Sequence, residues 1–189
     1  MDHYVEIDVR PDPEFPAHQL MSALYAKLHR ALVAQGSDRI GVSFPGMRTD
    51  TPHLGLGTHL RLHGGEVALS SLLATDWLTG MRDHVTPAQV APVPPGAQYR
   101  AVQRVQTASN PERLRRRLMR RHDLDAEAAR TRIPDSVACY TDLPYLQLRS
   151  TSTGQAFRLF IRHGPLQADP VSGCFNAYGL SQGATIPWF

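Results

Sequence analysis

"HYVEIDV" at residues 3–9 and "HQLMSALYAKLHRALVAQG" at residues 18–36 decide the fold between them. The first alternates apolar and polar side chains with period two, the pattern of a half-buried strand. The second repeats Leu20, Leu24, Leu28, Ala31 and Leu32 at helical spacing and closes on Gly36, a helix stop. Working outward, "RIGVSF" (39–44) and "HLRLH" (59–63) predict two strands on either side of the Pro/Gly-rich "PGMRTDTPHLGLG" (45–57). "EVALSSLLATDWL" (66–78) predicts a second helix, and a last strand falls within 82–92. The order βαββαβ is that of a ferredoxin-like unit, so the expected class is α+β.

The stretch "APVPPG" (91–96) has the composition of a linker, and the charge changes there. Residues 1–96 carry seven bases and ten acids; residues 97–189 carry thirteen arginines and seven acids. Two domains are therefore expected, 1–96 and 97–189, the second a further α/β domain. In it "YRAVQRVQT" (99–107) is extended, a short helix spans about 125–132, and "LPYLQLRS", "AFRLFIRHG" and "CFNAYGLS" form a β-rich end. With 189 residues, 42% of them hydrophobic, the chain has enough apolar surface for real cores. Cys139 and Cys174 make no CxxC pair and cannot alone build a zinc site. No apolar run approaches a membrane span and the N-terminus lacks the features of a signal peptide, so a reducing cytoplasm is the expected location and no membrane the expected partner.

"SNPERLRRRLMRRH" (109–122) is the most unusual segment. Ser109 or Asn110 as N-cap, Pro111 at the first helical position and Glu112 in the first turn predict a helix over 110–122. Arg113, Arg116, Arg117, Arg120 and Arg121 then fall on one arc of about 140°. Crowding like charges gains a helix nothing by itself. A solvated face is the bland reading, but such faces mix signs, whereas this one is all arginine. Nineteen of the twenty bases in the chain are arginine and Lys27 is the sole lysine. Guanidinium groups suit phosphates and guanine edges, although GC-rich codons also favour them. Nucleic acid is the leading partner class.

Chemistry must come from His, Ser and Tyr. HExxH, paired-carboxylate, P-loop and Rossmann fingerprints are absent, so metal-dependent hydrolysis has no sequence support and no cofactor is expected. RNA offers a reaction that fits: a general base takes the 2′-hydroxyl proton, and that oxygen attacks the adjacent phosphate in line. Histidine suits proton transfer near neutrality. His29, however, lies on the flank of an amphipathic helix, where a histidine is more often a half-exposed surface residue.

"YRAVQRVQTASNPERLRRRLMRRHDL", "LRSTSTGQAFRLFIRHGPL", "AYGLSQG", "LHRALV" and the closing "PWF" together resemble the type I-F CRISPR repeat-processing endoribonucleases, essentially end to end. The resemblance implies an N-terminal ferredoxin-like domain and a C-terminal domain whose arginine helix enters the major groove of a repeat-RNA hairpin. It implies metal-independent cleavage at the 3′ foot of the stem, leaving a 2′,3′-cyclic phosphate and a 5′-hydroxyl. The protein would then stay on the mature CRISPR RNA and join an effector complex. By position, His29 and Ser150 match the catalytic residues, and Ser152 and Tyr178 supporting ones. Arg104 and Gln106 match a base-reading pair, Arg116, Arg117, Arg120, Arg121 and His122 the groove-inserted positions, and Phe157 an aromatic that stacks on the base pair at the foot of the stem. Taken alone, "STSTG" is also an ordinary polar turn, Tyr178 and Phe157 packed strand aromatics, and "QRVQ" an edge strand. Of the denser glycine loop of the wider superfamily only Gly179 and Gly183 remain. Two other readings use the same arm: an RNA-hairpin binder that does not cleave and needs neither His29 nor Ser150, and a DNA-binding regulator. The latter lacks a partner helix before Ser109.

Overall fold

The computed structural model describes residues 1–48, 55–106, 111–134, 141–151 and 153–189, without the side chains of Pro111 and Arg113. It has two compact units: Met1–Val105 with Leu143–Phe189, and Gln106–Asp142.

The first unit begins with β1 (His3–Val9), α1 (Ala17–Gln35), β2 (Gly41–Ser43), β3 (His59–Gly64), α2 (Glu66–Ala74), β4 (Val85–Pro87) and β5 (Ala91–Pro92). The strands pair antiparallel in the order β2-β3-β1-β4, with β5 also on β1, which is the ferredoxin-like arrangement expected from βαββαβ. The last strand runs along β1 in two pieces: Ile7 faces Pro87 and Tyr4 faces Ala91. Prolines at 87 and 92 cannot donate to the ladder, which suits this edge position.

Alternation along β1 buries Val5, Ile7 and Val9, and α1 lays Leu20, Leu24, Tyr25, Leu28 and Leu32 on the same core before Gly36 ends it in the left-handed region. β3 is buried on both faces from Leu60 onward. Leu60 and Leu62 enter the core, whereas Arg61 is enclosed by Glu6 and the chain end: Nε and Nη2 donate to Glu6 Oε1 at 2.9 and 2.7 Å, Nη1 donates to the Phe189 carbonyl at 3.0 Å, and the guanidinium lies 4.0 Å from the Phe189 ring centroid.

β6 (Gln98–Arg100), β7 (Val102–Val105), β8 (Tyr145–Arg149), β9 (Ala156–His163), β10 (Cys174–Phe175), β11 (Ser181–Gln182) and β12 (Ile186–Trp188) complete this unit as the sheets β7-β9-β8, β6-β12 and β10-β11. Val102, Leu146, Leu148, Leu159 and Ile161 share one buried cluster with the residues of α1. Ser22 ties helix to strand, its hydroxyl accepting the Gln147 N–H at 3.1 Å and donating to the His18 carbonyl at 2.8 Å. α1 thus reaches both the first sheet and β8.

The second unit holds α3 (Pro111–His122) and α4 (Ala126–Arg132). Leu114, Arg115, Leu118 and Met119 are half-buried, while Arg116, Arg117, Arg120, Arg121 and His122 are exposed. Arg115 Nε donates to the Ile133 carbonyl at 2.8 Å, which ties α3 to the end of α4. Asp125 caps α4 by accepting the Ala128 N–H at 2.7 Å. The expected caps of α3, Ser109 and Asn110, lie outside the described residues.

Candidate active site

The site starts from a turn at 176–180. Asn176 Oδ1 accepts the N–H groups of Tyr178 at 2.8 Å and Leu180 at 3.1 Å, and its carbonyl accepts that of Gly179 at 2.8 Å. Gly179 sits at φ 71°, and a Cβ there would stand 2.7 Å from Val42 Cγ1, so only glycine fits. The Val42 N–H donates to the Gly179 carbonyl at 2.9 Å, pinning the turn to β2. A second anchor comes from α1, where the Tyr25 hydroxyl donates to the Tyr178 carbonyl at 2.7 Å. Burial pushes the Tyr25 phenol well above its ordinary pKa, and the nearby Tyr178 adds to the shift, so the hydroxyl keeps the proton it donates.

His29 follows Tyr25 by four residues, so one helix face delivers both side chains to this turn. His29 Nδ1 lies 2.8 Å from the Ala177 carbonyl oxygen. A carbonyl only accepts, so Nδ1 carries the proton and Nε2 presents its lone pair when the ring is neutral. The imidazole also stacks on the Tyr178 ring, centroids 3.9 Å apart and planes 8° from parallel. Tautomer and ring plane are therefore both fixed.

Across from His29, Ser150 directly follows β8. Its N–H donates to the Gln155 carbonyl at 2.9 Å, its carbonyl accepts the Gly154 N–H at 2.9 Å, and its hydroxyl accepts the Thr153 N–H at 3.2 Å. His29, Ser150, Tyr178 and Phe157 line one cleft of about 190 Å³, with Arg30 and Arg149 also on its wall and no acid among its described lining residues. Phe157 is half-buried on β9, and the exposed Arg104 on β7 holds its guanidinium carbon 6.0 Å from the Phe157 centroid. The structure thus gathers four of the residues singled out in the sequence, with Arg104 beside one of them. Ser152 lies outside the described residues.

Gln106 is exposed and belongs to the second unit with Arg116, Arg117, Arg120, Arg121 and His122; the side chain of Arg113 lies outside the description. Sequence reasoning missed Tyr25, Asn176, Arg30 and Arg149. Tyr25 has the signal of a core aromatic, and the Ala177 carbonyl has no side-chain signal at all. Arg30 and Arg149 were readable only as sequence neighbours of His29 and Ser150. Among the described residues no three His, Cys, Asp or Glu side chains come together as a metal site, and no helix is long and apolar enough to cross a membrane.

The family model described as CRISPR-associated protein (Cas_Csy4) matches residues 4–189. The protein named CRISPR-associated endonuclease Cas6/Csy4 in Pseudomonas aeruginosa (strain UCBPP-PA14) is 61% identical over 189 residues, the whole of both chains. The protein of the same name in Escherichia coli (strain UTI89 / UPEC) is 49% identical, again over the full length of both.

Proposed function

The chain belongs to the Cas_Csy4 family of CRISPR-associated proteins, and from that premise we propose that it is an endoribonuclease that binds the hairpin of CRISPR repeat RNA and cuts at the 3′ foot of the stem. The observation that carries the chemistry is the His29–Ala177 bond, which leaves Nε2 free as a base inside a cleft walled by arginines. His29 Nε2 takes the proton of the 2′-hydroxyl. The 2′-oxygen then attacks the adjacent phosphorus in line, the bond to the 5′-oxygen breaks, and that oxygen takes a proton from water to become the 5′-hydroxyl. The products are a 2′,3′-cyclic phosphate and a 5′-hydroxyl, and the route needs no metal. Ser150 holds the attacking nucleotide, Ser152 supports it, and Tyr178 keeps the base in plane. Arg30 and Arg149 face the charge that accumulates on the phosphoryl oxygens.

The division at residue 96 is then one of role. Residues 1–96 supply the base His29 and the cleft residue Arg30, and residues 97–189 supply Ser150, Ser152, Tyr178, Arg149 and the hairpin contacts. Phe157 stacks under the lowest base pair, Arg104 and Gln106 read base edges nearby, and Arg113, Arg116, Arg117, Arg120, Arg121 and His122 hold the stem through its major groove. An A-form groove is deep and narrow, so this suits a short stem opened at its loop end. The protein stays on its product and carries it into an effector complex. The direct test is a 5′-labelled repeat RNA incubated with protein and EDTA, with the product ends identified. A single cut ending in a cyclic phosphate is expected. Binding without cleavage would favour a hairpin-binding protein instead.

A further inference from the structure

His29 and Ser150 come from α1 and from the end of β8, so their separation depends on how the helix is set along the strand. Resting on the cleavage reading, we propose that Ser22 is a positioning residue for this reaction: its bond to the Gln147 N–H sets the register of α1 along β8, and with it the distance from His29 to Ser150. The spacing of the four residues fits this role. His29 lies seven residues beyond Ser22, on the same helix face and about 10.5 Å further along the axis. Ser150 lies three residues beyond Gln147, about 10 Å further along an extended chain. The two advances match, so a register fixed at Ser22 and Gln147 is carried to the cleft. Ala26 and Leu148, on the way from one to the other, also line that cleft, and Ala26 offers only a methyl group between helix and strand.

Apolar packing alone leaves that register loose. Leu146 and Leu148 of β8 share a buried cluster with Leu24 and Leu28 of α1, a contact without direction that holds the two elements together more than it aligns them. The hydrogen bond supplies the direction. β8 is an outer strand of its sheet, and the Gln147 N–H finds its acceptor outside the sheet, in the Ser22 hydroxyl at 3.1 Å. That hydroxyl spends its own proton on the His18 carbonyl at 2.8 Å, one turn back in the helix, which leaves an oxygen lone pair for the strand. Ser22 is buried among Leu20, Met21, Leu24 and Tyr25. Alanine would suit such a helix position better, so packing and helix propensity do not account for a serine there.

The test is single-turnover cleavage of a 5′-labelled repeat hairpin with protein in excess and EDTA present, where a folding defect lowers the amplitude and a positioning defect lowers the rate constant. Ser22→Ala should lower the rate constant about fivefold to twentyfold and leave the Kd of the 2′-deoxy hairpin within about twofold of wild type. Ser22→Thr keeps the hydroxyl and should cut within about threefold of the wild-type rate. Val85→Ala, which opens a cavity in the core at β4, should lower stability and leave the rate constant unchanged. Hydrogen exchange at the Gln147 amide reports the bond itself: it should be protected in wild type and Ser22→Thr and exchange at least about tenfold faster in Ser22→Ala. In a Ser150→Ala background, Ser22→Ala should cost less than about threefold more, because the group it places is gone. Wild-type cutting by Ser22→Ala, a rate that does not follow Gln147 protection across the three proteins, or effects that simply multiply in the double variant would each overturn the positioning role and leave cleavage standing. If the wild-type protein binds the hairpin without cutting it, the cleavage reading fails and this role with it.

Discussion

The Nδ1 atom of His29 donates to the carbonyl of Ala177, 148 residues further along the chain, and this bond decides which imidazole nitrogen is free. With Nε2 as the base, His29→Ala should slow cleavage by about 10²-fold to 10⁴-fold while hairpin affinity changes little. Replacing the scissile 2′-hydroxyl with hydrogen should abolish cutting and preserve the complex, because that oxygen is the proposed nucleophile. Gel-resolved single-turnover rates beside filter-binding affinities separate the two quantities. Parallel loss of rate and affinity would make His29 a structural residue.

Tyr25 is buried, and its hydroxyl holds the turn that carries Tyr178. Tyr25→Phe keeps the buried ring but leaves the Tyr178 carbonyl without its donor at 2.7 Å, which loosens the loop that orients His29. The expected outcome is a fall in kcat of about fivefold to fiftyfold with little change in hairpin Kd, equivalent to about 1 to 2.3 kcal/mol of lost positioning. Nitrogen-15 shifts of His29 should also move from the Nδ1–H tautomer toward a mixture. A merely destabilised protein would show the first effect without the second.

The first sheet was legible because β1, α1, β2, β3 and α2 are local patterns: an alternating strand, leucines at helical spacing, turn residues between. The edge strand was legible only as a range, since prolines at 87 and 92 divide it into β4 and β5. His29, Ser150, Phe157 and Tyr178 were found by resemblance to a family, and their convergence could not be read from spacing, since it depends on α1 meeting β8 and on a turn near the chain end. Tyr25 and Asn176 escaped notice because their work is on backbone groups, and any buried aromatic or turn asparagine has the same sequence signature.

The arm and the lead-in strand should differ in what they do for binding. If about five arginines on α3 lie near phosphates, the log–log salt slope should be of order three to five, and Arg117→Ala or Arg120→Ala should each flatten it by about one unit for every RNA of similar shape. Arg104 and Gln106 should instead carry about 1 to 3 kcal/mol of base discrimination each. Affinities of Gln106→Ala and Arg120→Ala across stems with swapped lower pairs distinguish the roles. An unchanged ranking for Gln106→Ala would move sequence reading elsewhere.

The core carries its own pH dependence through His63 on β3. This ring is fully buried, with Nε2 2.8 Å from Ser43 Oγ, and burial together with the charge of Arg61 pulls its pKa down to about 3. His163 is pulled down to about 4, by burial and then by Arg100. A histidine held neutral in the fold takes up no proton there, while the unfolded chain does so below its ordinary value near 6.5. Stability is therefore complete above about pH 6.5 and is lost as pH falls toward 3, at up to about 1.4 kcal/mol per pH unit from His63 alone. Urea unfolding of the wild type between pH 7.5 and 4.5 should show a midpoint that drops with acidification. His63→Asn, neutral throughout and able to bond Ser43, should start from lower stability and descend less steeply. If both proteins descend with the same slope, the acid sensitivity belongs to other groups and His63 is not held neutral by the fold.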